Sequence, residues 1–403
     1  MLQVESGKWR VENGKMKVEN YKMVRLGDVC EIVNGFAFDS KLFNTEKKGT
    51  PLIRIRDVIR GFSETYTTET VDSRFLIKSG DLLIGMDGEF NCSLWKSEDS
   101  FLNQRVCKIV PNEDLIHKDY VYYGLQGKLK EIEDKTAFVT VKHISSKQIE
   151  NIILKQPPLE TQKHIAAVLD KCTSVIAKHR EMLAKYDTLI KSRFIEMFGD
   201  PVSNPMGWDE VRITELCKSP DDIKCGPFGT QLSKDEYQKA GVPVFGIPQI
   251  NSSFKILPTD FLTNSKAEKL DDYSLVCGDI AMSRKGNVGK CAIYSGQDKG
   301  IIHSDVVRLR VDNSICNPVY LMNQLHISPK VETQISNVSS GAIMAGINVT
   351  KLKNIIVYNP PILIQNDFAA FVQQIDKSKF AVQKSLDKAE TLYKALMQEY
   401  FGA

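Results

Sequence analysis

The chain has 403 residues, of which 26% are charged and 42% apolar, and a net charge of +3. That length allows two or three domains, each able to bury its own core. It contains no apolar run of about 18 residues, which excludes a helical membrane span. The near-neutral balance neither demands nor excludes nucleic acid, because clustering of charge matters more than its sum. Nine cysteines form no Cys-x-x-Cys pair and the start carries no apolar signal-peptide core, so free thiols in a cytoplasmic protein are expected.

In chain order, residues 1–23 come first as a low-complexity leader of three near-identical heptads beginning at Val4, Val11 and Val18. Valine is their only regular apolar position, which makes a poor coiled coil. Met23 offers an alternative start that would leave the leader silent. From Val24 onward the second half repeats the first. Val24-Arg25-Leu26-Gly27-Asp28-Val29-Cys30 matches Val211-Arg212-Ile213-Thr214-Glu215-Leu216-Cys217, and Gly80-Asp81 matches Gly278-Asp279. The stretch Asn151-Ile152-Ile153-Leu154-Lys155-Gln156-Pro157-Pro158-Leu159 matches Asn354-Ile355-Ile356-Val357-Tyr358-Asn359-Pro360-Pro361-Ile362. The offset between copies grows along the chain, so framework is shared and connections vary, which is where recognition sits.

Each copy reads as a mixed α/β domain. Strands are expected at Leu52–Val58, Asp81–Ile84, Val106–Val110 and Ile149–Leu154 in the first. In the second they fall at Val244–Ile250, Asp279–Met282, Val306–Val311 and Leu352–Tyr358. Short helices are expected at 117–133 and 317–335. After each Pro-Pro, apolar residues recur at steps of three and four: Ile165, Val168, Leu169, Cys172, Val175, Ile176, Met182, Leu183, Tyr186, Leu189, Ile190 and Phe194, then Phe368 to Leu396. That pattern predicts one long helix per copy with a narrow seam, a rod of roughly 54 Å at about 1.5 Å per residue. Gly199 and Pro201 stop the first. Packed together the helices would form an antiparallel coiled coil with pseudo-two-fold symmetry, with His179 on the seam as a core residue. The expected division is a leader at 1–23, a first domain at 24–158, a helix at 159–199, a second domain at 200–360 and a helix at 361–403.

Apparent catalytic motifs fail on inspection. Asn359-Pro360-Pro361-Ile362 lacks the aromatic of an amino-methyltransferase loop, and Pro opening a helix accounts for it. Pro220-Asp221-Asp222-Ile223-Lys224 lacks the earlier acidic residue of a metal nuclease. Gly286-Asn287-Val288-Gly289-Lys290-Cys291 has the wrong glycine spacing for a phosphate loop. The histidines and cysteines show no zinc spacing. The reading that remains is binding. Arg284, Lys285, Asn287 and Lys290, among glycines, suit base edges and phosphates. The matching loop of the first copy, Asp87-Gly88-Glu89 with Asn91, is acidic, so the copies would not read the same bases. Arg54 and Arg56 stand opposite Gln249 and Asn251, and Asn103, Gln104 and Arg105 opposite His303, Ser304 and Asp305. Singly each is an ordinary loop side chain; as a group they are the candidate DNA-binding residues.

The duplicated order of these features resembles the specificity subunits of type I restriction–modification systems, from Val24 onward. The features are the Pro-Pro-Leu-x-x-Gln and Pro-Pro-Ile-x-x-Gln entries, the Gly-Asp turns and Phe194-Ile195-Glu196-Met197-Phe198-Gly199-Asp200-Pro201. The resemblance implies two target recognition domains, each reading half of a bipartite, asymmetric site in double-stranded DNA. It also implies two partner modification (methyltransferase) subunits and restriction (translocase–nuclease) subunits. The chain itself would be non-catalytic and without cofactor; S-adenosylmethionine, ATP and Mg2+ would belong to those partners. The leader has no counterpart in the family pattern, and the first helix lacks the tandem tetrapeptide of some members. The alternatives are a similar subunit serving a bifunctional methyltransferase–nuclease, and a coiled-coil scaffold that does not touch DNA.

Overall fold

The computed structural model describes residues 11–12, 15–16, 21–136, 142–339 and 346–402. The expected leader lies outside the described residues, save for a short pairing of Val11–Glu12 with Lys15–Met16 and its last residues. Lys22 and Met23 open the strand Lys22–Arg25. The chain divides into two compact units, Met1–Arg180 with Lys384–Ala403, and Glu181–Gln383. The division falls inside both long helices, Leu159–Phe198 and Ile362–Phe401, each of 40 residues.

Unit 1 is mixed α/β. One antiparallel sheet runs in the order Cys92–Leu94, Leu82–Gly85, Val106–Pro111, Cys30–Asn34. A second runs Phe43–Asn44, Tyr66–Thr67, Thr50–Ile53, Ser100–Leu102, Leu76–Ile77, with Thr50–Ile53 and Ser100–Leu102 parallel. Lys22–Arg25 pairs with Ile153–Gln156, tying the start of the first copy to its end. The helix Lys118–Lys135 lays Tyr120, Val121, Leu125 and Leu129 on the first sheet's Leu82, Ile84, Cys107 and Ile109. Unit 2 repeats this plan: Cys291–Ile293, Ile280–Ser283, Val306–Leu309, Ile223–Cys225 in one sheet; Phe261–Leu262, Val242–Phe245, Gly300–Ile302, Ser274–Leu275 in the other. Again the central pair of the second sheet is parallel, and Glu210–Arg212 pairs with Ile356–Tyr358.

Several predicted strands are strand–helix units. Thr50–Ile53 gives way to the helix Ile55–Arg60, and Val242–Phe245 to Ile247–Asn251. The Asp57 carboxylate accepts from Arg54 N at 2.9 Å and the Gln249 amide oxygen from Gly246 N at 2.9 Å. Each is the third helical residue reaching back over the first turn, which starts a helix inside an apolar run. Likewise Ser146–Glu150 and Val349–Leu352 are short helices ahead of the shortened strands Ile153–Gln156 and Ile356–Tyr358. The helix expected at 317–335 is two, Pro318–Ile327 and Pro329–Val338. Pro329 cannot continue the first helix, and Ser328 Oγ accepts from Val331 N to start the second.

The long helices pack in a way their repeat pattern conceals. In unit 2, Asp187 meets Lys379 at 2.6 Å, Arg193 lies over the Phe371 ring, and Phe194 and Phe198 meet Phe368, so the segments run antiparallel. In unit 1, Ile165 and Leu169 share a core with Tyr393, Leu396 and Phe401, and Arg180 meets Glu390 at 2.6 Å. Each domain is thus completed by the tail of the other copy's helix. Phe401 docks on Tyr120 with ring centroids 4.9 Å apart, and Phe198 on Tyr320 at 4.7 Å. Of the predicted seam, Val175, Met182, Leu189 and Leu392 are exposed. The apolar stripe is therefore wider than the helix partner covers, and His179 is only half-buried.

Candidate nucleic-acid interface

The repeated Pro-Pro entry is a joint. Gln162, fully buried, accepts from His117 N at 2.7 Å and donates to Pro157 O at 2.7 Å and Leu115 O at 3.4 Å. Gln365 does the same with Asn317 N at 2.8 Å, Pro360 O at 2.7 Å and Ile315 O at 3.2 Å. Each glutamine bonds three backbone groups at once and locks the long helix to the loop before the domain's own helix. Asn359 Oδ1 accepts from Gln365 Nε2 at 3.0 Å, so it is held within this joint. The Gly-Asp turns are framework too. Gly80 and Gly278 sit at φ +90 and +94, and Asp81 and Asp279 accept from Lys78 N and Val276 N at 2.8 Å.

The loops differ. In unit 1 the strand Leu82–Gly85 runs out into Met86 and Asp87, and Arg105 stands beside it, just before Val106–Pro111. Met86 N donates to Arg105 O at 2.9 Å. Arg105 adopts φ 75, a left-handed conformation rare for a residue with a side chain. Its exposed guanidinium lies 3.6 Å from Asp87, whose other oxygen is 2.5 Å from His143 Nδ1. Gln104 is exposed, and Asn103 is buried with its Oδ1 unpaired. Asn91 is half-buried on the turn that returns from this strand, its carbonyl accepting from Gly85 N. Arg54 and Arg56 are exposed at the start of the Ile55–Arg60 helix, in the other sheet's connection.

In unit 2 the equivalent strand Ile280–Ser283 leads into Arg284 and Lys285. Arg284 Nε donates to Ile347 O at 3.1 Å and Nη1 to Ser304 O at 3.5 Å, with its guanidinium over the half-exposed Phe228 ring. Its remaining N–H groups point to no described partner, so the fork is fixed yet has donors to offer. Lys285 pairs with Asp305 at 2.7 Å, and His303 Nδ1 accepts from Asp305 N at 3.2 Å. Asn287 is exposed at the turn tip, between Gly286 at φ 69 and Gly289 at φ 82, and Lys290 is half-buried as the turn closes. Asn251 is exposed at the end of its short helix. Gln249 is different: buried, with Oε1 on Gly246 N and Nε2 on Leu257 O at 3.2 Å. Its amide is engaged on both sides as a helix cap, the part Asp57 plays in unit 1, and it lies buried rather than on the exposed loop surface.

The family model for the type I restriction modification DNA specificity domain matches residues 18–185 and again 205–390. The chain belongs to this family. It is 29% identical to the type I restriction enzyme EcoBI specificity subunit of Escherichia coli, over 91% of this chain and 81% of that protein. It is 21% identical to the MjaVIII specificity subunit of Methanocaldococcus jannaschii, over 93% of this chain and 90% of that protein. A type I restriction–modification S subunit from M. genitalium shares the fold, with a TM-score of 0.63 at 14% identity, covering 95% and 96% of the two chains.

As a specificity subunit the chain needs reading loops on a rigid frame, and the two are separable residue by residue. Asp222, from the nuclease-like run, accepts from Ser219 N at 2.9 Å as a local cap. Among the described residues no group of three His, Cys, Asp or Glu could hold a metal, and no helix is long and apolar enough to cross a membrane. Phe228, which supports Arg284, and His143, which holds Asp87 beside Arg105, have no signal of their own in the sequence, where Asp87 reads only as an acidic loop residue. A signal was present in Gly35 and Gly226, which match in the two copies. A Cβ at either would overlap the carbonyl oxygen of Asn103 or His303. Close approach at a matched glycine marks where the Phe36 and Phe228 segments cross the reading strands.

Proposed function

We propose that this chain is the sequence-reading, non-catalytic subunit of a type I restriction–modification complex, each domain contacting one half of a bipartite, asymmetric DNA site. The observation that carries it is a duplicated frame whose equivalent strand ends bear different side chains: Asp87, Asn103, Gln104 and Arg105 in one, Lys285, His303, Ser304 and Asp305 in the other. A shared frame with unlike loops is what two unlike half-sites require. Arg105, Arg284 and Asn287 suit base edges, and Lys285 and Lys290 suit phosphates, with Arg54, Arg56, Asn91, Asn103, Gln104, Asn251 and His303 flanking them. The partners are double-stranded DNA, two modification subunits and restriction subunits. S-adenosylmethionine, ATP and Mg2+ act in those partners, in the cytoplasm. A partner flips and methylates an adenine beside each reading domain. With a net charge of +3, the isolated chain binds DNA weakly and gains phosphate contacts from its partners.

Single-molecule sequencing of N6-methyladenine in host DNA, with and without this gene, tests the proposal. Loss of methylation at one bipartite motif with a fixed gap supports it. Unchanged methylation in a host with an active system of this type contradicts it.

A further inference from the structure

At one equivalent place the two domains carry the same ion pair with its charges exchanged between strands. Asp87 and Lys285 each follow the second sheet strand of their copy and form isolated bridges to His143 and Gly346. Arg105 and Asp305 each precede the next strand, and their carbonyl oxygens accept from Met86 N and Arg284 N at 2.9 and 2.8 Å. In unit 1 the cation is Arg105, 54% exposed, and the anion Asp87, 22% exposed. In unit 2 the cation is Lys285, 43% exposed, and the anion Asp305, 25% exposed. The strand supplying each charge has changed, yet the cation is outermost both times. A histidine nitrogen also lies beside the carboxylate both times: His143 Nδ1 at 2.5 Å from Asp87 and His303 Nδ1 at 3.6 Å from Asp305.

Mere stability would not order the pair this way. A half-exposed ion pair is worth little, and either member could face water. Keeping the cation outward from non-equivalent positions is what contact with a polyanion demands. We infer that Arg105 and Lys285 are the groups each domain presents to DNA at this place, and that Asp87 and Asp305 are positioning residues that aim them, an inference that rests on the function proposed above. The two cations are chemically unlike. Arg105 offers a planar fork that matches guanine O6 and N7, held in a left-handed backbone conformation at the strand end. Lys285 offers a point charge suited to a phosphate. Unit 1 therefore reads a guanine here, and unit 2 reads none.

The test is a compensated swap in the full chain, D87K with R105D, introduced into the host in place of the native gene and followed by methylation sequencing. Each single substitution lowers the Tm of the purified chain, and the pair restores it. The half of the motif read by unit 1 then changes at one position while the other half persists. A restored Tm with the motif unchanged would overturn the inference, because the pair would then be structural only. Arg105→Lys keeps the ion pair and covers the case in which the swap fails to fold. It is expected to cut methylation at the guanine-containing half-site roughly tenfold or to relax that base, and Asp87→Asn to do the same more weakly with the Tm little changed. A wild-type motif without a guanine in one half would also overturn the inference while leaving the proposed function standing. A wild-type chain that directs no methylation would remove that function, and the inference with it.

Discussion

At the turn after their parallel strands the two domains perform one task with different atoms, whereas at their strand ends they use similar atoms for different ends. Asp57 and Gln249 both cap the short helix that follows, one as a carboxylate and one as an amide. Arg105 and Lys285 are both outward cations, but they stand on different strands and offer different hydrogen-bond geometry. A difference between copies is therefore not by itself a sign of recognition. What separates frame from reading surface is burial: Asp57 and Gln249 are buried, whereas Arg105 and Lys285 keep exposed donors beyond their internal partners.

The comparison can be broken most severely at the matched glycines. Gly226→Ala, like Gly35→Ala, would drive a Cβ into a backbone carbonyl, and overpacking of this kind costs about 3 kcal/mol; urea unfolding should register a similar loss for both. Next come the joints. Gln162→Ala and Gln365→Ala leave buried backbone groups unpaired, each costing about 2 kcal/mol, and the two losses should agree because the joints agree. Gln249→Ala removes a cap worth about 1 kcal/mol and should leave the methylated motif unchanged; a change in the motif would place Gln249 on DNA after all. The smallest expected effect concerns acid. His326 accepts from Cys291 N through Nε2, and burial, with Lys290 nearby, lowers its pKa. As pH falls below the usual histidine value near 6.5, the unfolded chain takes up a proton that folded unit 2 resists, so stability drops toward acid. Gln126 holds the equivalent helix position in unit 1. Denaturation of His326→Gln at pH 7 and then at mildly acid pH should show a shallower loss than the native chain.

Much of the frame was legible in the sequence because duplication repeats its signals. The paired Pro-Pro entries, the Gly-Asp turns and the long periodic stretches each appear twice, and mixed α/β domains with one long helix each follow from them. Less was legible where a local cap overrides an apolar pattern. The runs at Leu52 and Val244 look like continuous strands because the capping residue, Asp57 or Gln249, sits among apolar neighbours. Periodicity also reports how apolar a helix face is and not what covers it, so Val175, Met182, Leu189 and Leu392 read as seam yet stand exposed. The exchange of helix tails, Phe401 on Tyr120 and Phe198 on Tyr320, is invisible to a pattern that treats each copy alone. At the candidate interface the residue types were readable, but the left-handed backbone of Arg105, the Phe228 ring beneath Arg284 and the carboxylate beside each cation depend on chain crossings that only the fold supplies.

The central claim is that each domain reads its own half of one site, and Arg284→Ala addresses it most directly. Its guanidinium is held at a strand end of unit 2 by Ile347 O and Ser304 O, far along the chain from the loops of unit 1. Methylation sequencing of a host carrying this variant should show one half of the bipartite motif relaxed or lost as a recognised sequence and the other half intact at the same spacing. Relaxation of both halves together, or of neither, would contradict the account.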